Sequence, residues 1–261
     1  MAGPKQSKGD KRRDELLNWL KRHGKITVQQ MVDQFDISEA TARRDLELLE
    51  QTSPVIRTIG GAMYDGLHSV KEYSFQEREN ISYLEKERIA QVAASLIHEG
   101  DVVGISGGTT SFLIARALKE KRNITVVTNA VNIAMELASN PSIQIVVSGG
   151  IMRGNSFELC GPLAEKMVEH IHIGKMFIGV DGINELQGLA TYSEQEASIA
   201  RALIQRSTET YAVFDHTKAG KTSLFTIAPL DAICGCITDE ALPAALADKL
   251  AKLNIGVHLP E

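Results

Sequence analysis

The sequence predicts an α/β protein: a winged helix-turn-helix at the N-terminus, then a mainly parallel α/β domain. Three observations predict it. Residues 11–61 hold three short amphipathic helices and then alternating apolar residues broken by Gly60-Gly61. From about Glu85 the chain alternates strand-like and helix-like apolar runs. Five of the strand-like runs finish in a small or polar cluster. With 261 residues, 43% of them hydrophobic, there is room for one large domain and one small one.

The first helix is "KRRDELLNWLKRH", residues 11–23, with Leu16, Leu17 and Leu20 on one face and Trp19 at its edge. Gly24 stands where a glycine closes a helix. In "KITVQQMVDQF", Thr27 and Gln30 have capping-box spacing ahead of Val28, Met31, Val32 and Phe35. After a short turn, "SEATARRDLELLE" (38–50) is one helix with Ser38 as its N-cap and Ala42, Leu46 and Leu49 on one face. Thr41, Arg43 and Arg44 lie on the other side. "PVIRTIGGAMY" then reads as a β-ribbon. In a winged helix-turn-helix the third helix enters the major groove. Ser38, Thr41, Arg43 and Arg44 are therefore the candidate DNA contacts, and Arg57 in the wing a phosphate contact. A small helical protein-binding module fits the same pattern.

Charge permits DNA binding without demanding it. Residues 1–61 carry 11 Lys+Arg against 9 Asp+Glu, the remainder 17 against 24, for a net −5. No apolar run approaches the roughly 20 residues of a membrane span. The polar N-terminus has no signal-peptide core, so a cytoplasmic protein is expected. Cys160, Cys234 and Cys236 are expected as buried free thiols, since no His/Cys cluster with zinc spacing accompanies them. Neither a metal nor a cofactor is expected.

Residues 64–84 are polar and read as a linker that becomes helical by about Leu84, which sets domains at 1–63 and 85–261. In the second, "DVVGI" ends in Ser106-Gly107-Gly108-Thr109-Thr110, "ITVV" in Thr128-Asn129, and "IQIVV" in Ser148-Gly149-Gly150. "KMFIGV" ends in Asp181-Gly182 and "TYAVF" in Asp215-His216-Thr217-Lys218. In parallel sheets, ligands bind outside the carboxyl ends of the strands. Five clusters along one such edge make a candidate site. Gly107 and Gly108 allow a tight turn, and Thr109 and Thr110 open the next helix, so free N–H groups and hydroxyls would face an anion. No Gly-Lys-Ser/Thr follows, so this is not a Walker A loop. A threonine cap after a glycine turn explains "GGTT" without any ligand. Lys218 adds a positive charge at another strand end, or is a surface lysine.

"ISEATARRDLELLE" followed by "VIRTIGGA" resembles the DNA-binding signature of DeoR-family bacterial transcriptional regulators, and the likeness runs through almost the whole chain. Two positions depart from the pattern: Ala42 replaces a larger β-branched residue, and Pro54 enters the wing where a glycine turn is usual. The resemblance implies a sensor domain similar to the ribose-5-phosphate isomerase fold, binding a phosphorylated sugar or related metabolite. It carries the phosphate loop onto Gly108, Thr109 and Thr110. Polar strand-end positions fall on Thr128, Asn129, Gly149, Gly150, Asp181 and Gly182. An Asp-x-x-Lys-x-Gly motif falls on Asp215, Lys218 and Gly220. Ser106 stands where the family usually has an aspartate. Glu196 and Glu194 precede a helix at the same rim, where they could meet sugar hydroxyls or simply favour the helix dipole.

The resemblance thus implies a transcriptional regulator, a repressor of a carbohydrate operon released from double-stranded operator DNA by a sugar phosphate. It would act as a homo-oligomer, dimer or tetramer. The competing class is a phosphosugar isomerase with an appended DNA-binding domain. That chemistry needs a carboxylate base, Asp181 or Glu196, and an acid, His216 or Lys218. An architectural DNA binder leaves the strand-end clusters without a use.

Overall fold

The computed structural model describes residues 8–23, 25–53, 55–64 and 72–260. Gly24 and Pro54 lie outside the described residues, as do residues 65–71 of the expected linker. The described residues to Tyr64 form one compact unit with Asn80–Tyr83; Glu72–Glu79 and the chain from Leu84 form another. Among the described residues, no helix is long and apolar enough to cross a membrane.

The first unit runs α1 (Lys8–His23), β1 (Lys25–Thr27), α2 (Val28–Phe35), α3 (Glu39–Thr52), β2 (Val55–Thr58) and β3 (Gly61–Tyr64). Leu16, Leu20, Met31, Ala42, Leu46 and Leu49 close a core under the three helices, as their helical spacing requires. Thr27 caps α2 through a full capping box: its hydroxyl accepts from Gln30 N, and the Gln30 side chain accepts from Thr27 N. The sequence reading missed β1. It pairs antiparallel with β3, making a three-stranded wing of order β1-β3-β2. Three residues are too few to show a period-2 pattern. Gly60 turns β2 into β3 at φ +88°. At Gly61 a Cβ would fall 2.1 Å from Ile26 O, so only glycine allows β1 to pair here.

The second unit opens with α4 (Phe75–Glu79) and α5 (Tyr83–Ser95). The expected linker is therefore partly structured. Its Phe75 is buried edge-on to Phe112 and Phe157, with ring centroids 5.6 and 5.5 Å away. Then follow β4 (Val102–Ile105), α6 (Thr109–Ala117), β5 (Ile124–Thr128), α7 (Val131–Leu137), β6 (Ile143–Val147), β7 (Ile151–Met152), β8 (Leu159–Cys160) and α8 (Pro162–Val168). The rest is β9 (Ile173–Gly179), β10 (Gly182–Asn184), β11 (Gly188–Thr191), α9 (Glu194–Gln205), β12 (Ser207–Val213), β13 (Phe225–Ala228), β14 (Gly235–Ile237), α10 (Ala244–Lys252) and β15 (Gly256–His258).

Seven of these strands make one sheet of order β15-β14-β12-β9-β4-β5-β6, parallel throughout. All five expected strands lie in it. The chain moves from β4 outward through β5 and β6, then returns to β9 on β4's other side. The order thus reverses between β4 and β9, the switch point at which open α/β sheets leave a ligand crevice outside the carboxyl ends of their strands. A smaller antiparallel sheet, β10-β11-β13, and the β7-β8 hairpin stand apart from the main sheet.

Candidate functional site

On the first unit, α3 keeps its charged side in solvent. Ser38 caps the helix by accepting from Thr41 N, and the two hydroxyls hydrogen-bond at 3.0 Å. Arg43 is exposed and pairs loosely with Glu39 at 3.4 Å. Arg44 is exposed and has no partner among the described residues. Arg57, on β2, pairs with Glu47 of α3 at 3.2 Å, and its own N–H donates to the Glu50 carboxylate. The wing arginine is thus tied to α3. Asp45 went unremarked in the sequence. It is buried and takes Arg12 at 2.6 Å and Arg13 at 3.2 Å from α1, and its hydrogen bond holds the Arg12 guanidinium above its ordinary pKa. That bond locks α1 to α3.

On the second unit, the five polar clusters gather at the carboxyl edge of the sheet, but their side chains differ in what remains free. Gly108, at φ +108°, is the N-cap of α6 and offers no side-chain cap. The first bond of the helix is Phe112 N to Gly108 O, so the N–H groups of Thr109, Thr110 and Ser111 precede its ladder. Ser106 is buried. Its hydroxyl accepts from Gly179 N at 3.0 Å and donates to Gly107 O, tying the ends of β4 and β9 together.

Thr128 is used internally: its hydroxyl donates to Ile105 O and accepts from Ala130 N. Gly149 has open space where a side chain would be, whereas a Cβ at Gly150 would strike Cys160 O at 2.6 Å. Gly182 lies as tightly against Lys221 O, at 2.8 Å. Both are there for close backbone approach. Asp215 caps the short helical turn His216–Lys218, its carboxylate accepting from Thr217 N and Oγ1. His216 turns to Asp239, 2.7 Å from Nδ1, and this partner raises it to about 9. Lys218 has no ion pair among the described residues, and its charge helps hold Asp181 ionised.

Asp181 and Glu196 belong to a charge network the sequence did not reveal. Asp181 receives Arg78 at 2.9 Å, Thr191 Oγ1 at 3.0 Å and Tyr192 N at 3.1 Å. Burial pushes its pKa up, but Arg78 and Lys218 more than offset this and hold it below the ordinary range. Thr191 Oγ1 also lies 3.2 Å from Glu196, which takes Arg153; Arg153 reaches Glu72 as well. Glu194 instead faces Arg201 at the surface.

Glu158 is buried, accepts from Asn129 Nδ2 at 2.9 Å and lies against Gly107. Burial and the nearby Glu196 push it up to about 8. Lys86, also buried, donates to Arg78 O and is lowered to about 8 by burial, with Lys218 and Arg78 adding to the effect. Several buried polar atoms lack any partner, among them Arg78 Nε, Asn129 Oδ1, Ser111 Oγ, Ser148 Oγ and Ser156 Oγ. Unpaired groups of this kind are costly in a folded interior.

Arg78 comes from the stretch read as a linker, and Arg153 and Glu158 from a stretch, residues 151–161, to which the sequence pattern assigns no role. The available signal was the aromatic beside each charged group: Phe75 in "SFQEREN" and Phe157 in "RGNSFEL" are the two rings that pack together.

Comparison with known proteins agrees with this two-part layout. Residues 12–66 match the DeoR-like helix-turn-helix domain and residues 81–240 the DeoR C terminal sensor domain. The chain is 35% identical over 246 residues to the HTH-type transcriptional repressor GlcR of Bacillus subtilis, covering 94% of both chains. It is 32% identical over 232 residues to the L-fucose operon activator of Haemophilus influenzae, covering 88% of this chain and 92% of that one. A solved ribose 5-phosphate isomerase from Methanocaldococcus jannaschii aligns at 18% identity and TM-score 0.40, over 52% of this chain and 54% of its own. A DeoR-type helix-turn-helix followed by a DeoR sensor domain, with relatives matched nearly end to end, places the chain in the DeoR family of transcriptional regulators.

Proposed function

We propose that the protein is a cytoplasmic repressor of a carbohydrate-utilisation operon, released from its operator when a phosphorylated sugar binds the second unit. One observation carries this reading. A single chain joins a winged helix whose α3 leaves Arg43 and Arg44 exposed to a parallel sheet whose crevice opens on an uncapped helix N-terminus. Arg44, Arg43 and Thr41 meet the major groove, and Arg57 meets a phosphate once it exchanges Glu47 for DNA. The phosphate of the effector sits on the N–H groups of Thr109 and Thr110, with Lys218 supplying positive charge.

The sign of regulation follows GlcR, a repressor, although the L-fucose operon activator shows both signs among its relatives. A homo-oligomer presents two winged helices to half-sites about 34 Å apart, or a multiple of this. No sugar is turned over. The carboxylates an isomerase would use as base, Asp181 and Glu196, are held by Arg78 and Arg153.

The test begins by selecting operator fragments from a random-sequence DNA library with the full chain. A preformed complex is then titrated with pentose and hexose phosphates while fluorescence anisotropy is followed. Release by a sugar phosphate, but not by the unphosphorylated sugar, is the expected result. Persistence of the complex through the whole panel, or turnover of ribose 5-phosphate by the chain, overturns the proposal.

A further inference from the structure

Glu158 is a buried acid of the crevice that forms no ion pair among the described residues. Arg78 is engaged by Asp181, and Arg153 is shared between Glu72 and Glu196. Three carboxylates thus already divide two guanidinium groups. Asn129 is the sole hydrogen-bond partner of the Glu158 carboxyl among the described residues: its Nδ2 donates to Oε2. Oε1 is left over. It lies against Gly107, where a Cβ would fall 2.3 Å from it and 2.2 Å from Cδ. Any larger residue at 107 would push the carboxyl out, so the glycine next to the anion loop is the notch that admits Glu158. Beside this carboxyl, Asn129 Oδ1 is fully buried and unpartnered. Meanwhile Ser106, where the family pattern has an aspartate, spends its hydroxyl on Gly179 N and Gly107 O and offers no carboxyl of its own.

Resting on the phosphosugar reading above, we propose that Glu158 is the specificity-determining residue of the effector site, meeting the sugar phosphate as a neutral carboxylic acid. With Oε2 accepting from Asn129, the proton belongs on Oε1. From there it is donated to an oxygen of the ligand beside the Gly107-Gly108 turn. The charged groups around it favour this state. Glu196 of α9 and Asp181 after β9 surround it with negative charge, while Arg78 of α4 is the main cation facing it. Cys160 on β8 stays a thiol, raised to about 12 chiefly by burial. Burial and Glu196 push Glu158 itself up to about 8. A phosphate dianion on the neighbouring loop would raise it further, because an ionised carboxylate there would repel the ligand. Effector binding therefore takes up a proton above pH 8.

Calorimetric titration of the full chain tests this with ribose 5-phosphate, fructose 6-phosphate, glucose 6-phosphate and inorganic phosphate, between pH 7 and 9. A group titrating near 8 goes from about nine-tenths to about one-tenth protonated over that span, so affinity should fall about tenfold. Titrations in buffers of different ionisation heat should show proton uptake at pH 8.5.

Glu158→Gln keeps a neutral donor and an acceptor in the same shape. It should bind within about threefold of wild type at pH 7 and lose the Glu158 part of the pH dependence. Glu158→Ala should lose about tenfold at pH 7, the scale of one hydrogen bond. Lys86, lowered to about 8 near Lys218, also loses charge over this range, and whatever fall persists in Glu158→Gln belongs to it. A Glu158→Gln profile parallel to wild type, or a Glu158→Gln affinity as poor as that of Glu158→Ala, overturns the assignment and leaves the sensor reading intact. Failure of every phosphate probe to bind wild type overturns both.

Discussion

Arg44 and Lys218 are the two side chains whose freedom costs the fold least and serves a polyanion best. Arg44 has no partner among the described residues, so releasing it to a base edge breaks nothing. Arg44→Ala should cost about 1–3 kcal/mol of operator affinity if the side chain reads a guanine, with sugar-phosphate binding unchanged. Operator affinity unaltered in the Arg43→Ala/Arg44→Ala double variant would remove α3 as the reading helix. Lys218 stands beside Asp181 without an ion pair among the described residues. The backbone at a helix N-terminus supplies only about half a unit charge, so a bound phosphate needs a full cation nearby. Lys218→Ala should weaken effector binding by about 1.5–3 kcal/mol and leave operator binding intact, giving a repressor that is poorly released. Equal effector midpoints for wild type and variant would make Lys218 a surface residue. His216 differs: its raised pKa, about 9, comes chiefly from its hydrogen bond to Asp239. A histidine raised above its unfolded value stabilises fully below about pH 6.5, and that contribution is lost as pH rises through 9. The imidazole is 35% exposed and so partly screened, although Asp239 is buried, and this amounts to about 1 kcal/mol or less. His216→Gln should flatten that part of the stability–pH curve in urea denaturation.

Each element of the winged helix rests on a local signal, and these can be broken one at a time. Thr27→Ala removes one half of the α2 capping box and should cost about 1 kcal/mol of stability, read from urea denaturation. Gly61→Ala should cost more, about 1–3 kcal/mol, because the added Cβ would meet Ile26 O and separate β1 from β3. A Gly61→Ala variant as stable as wild type would mean that β1 pairing contributes little. These examples also show what could be read in advance. Caps and amphipathic spacing act within four residues, so α2, α3 and the Ser38 cap were legible. The long parallel strands were legible too, because burial on both faces leaves continuous apolar runs such as "KMFIGV". Short strands were not: β1, β10, β14 and β15 have three residues each and exist through their partners. The crevice was half legible. The polar residues after each strand were found at the right edge, but Thr128 and Asp215 satisfy backbone groups instead of facing open space. Arg78, Arg153 and Glu158 arrive from distant segments. Their pairing is set by tertiary packing, to which neither spacing nor composition is sensitive.

At the scale of the whole molecule, regulation is a coupling free energy between a DNA site on one unit and an effector site on the other. Coupling of this kind is reciprocal. If the effector lowers operator affinity by some factor, the operator lowers effector affinity by the same factor, whatever motion connects the units. Couplings of this type typically amount to 1–3 kcal/mol, or about 5–150-fold. The released state also gains stability from the ligand, about 2.7 kcal/mol at a hundredfold excess over Kd, which a thermal-shift screen detects before any operator is known. Once operator and effector are in hand, two measurements decide the matter. Calorimetry gives the effector Kd on free protein and on the preformed operator complex. Anisotropy gives the operator Kd with and without saturating effector. The two ratios should agree, and Lys218→Ala should shift both effector constants together while leaving their ratio unchanged, because it weakens the ligand in either state. Effector constants identical on free and DNA-bound protein would mean the crevice binds its ligand without communicating with the winged helix, and the repressor would need another signal for release.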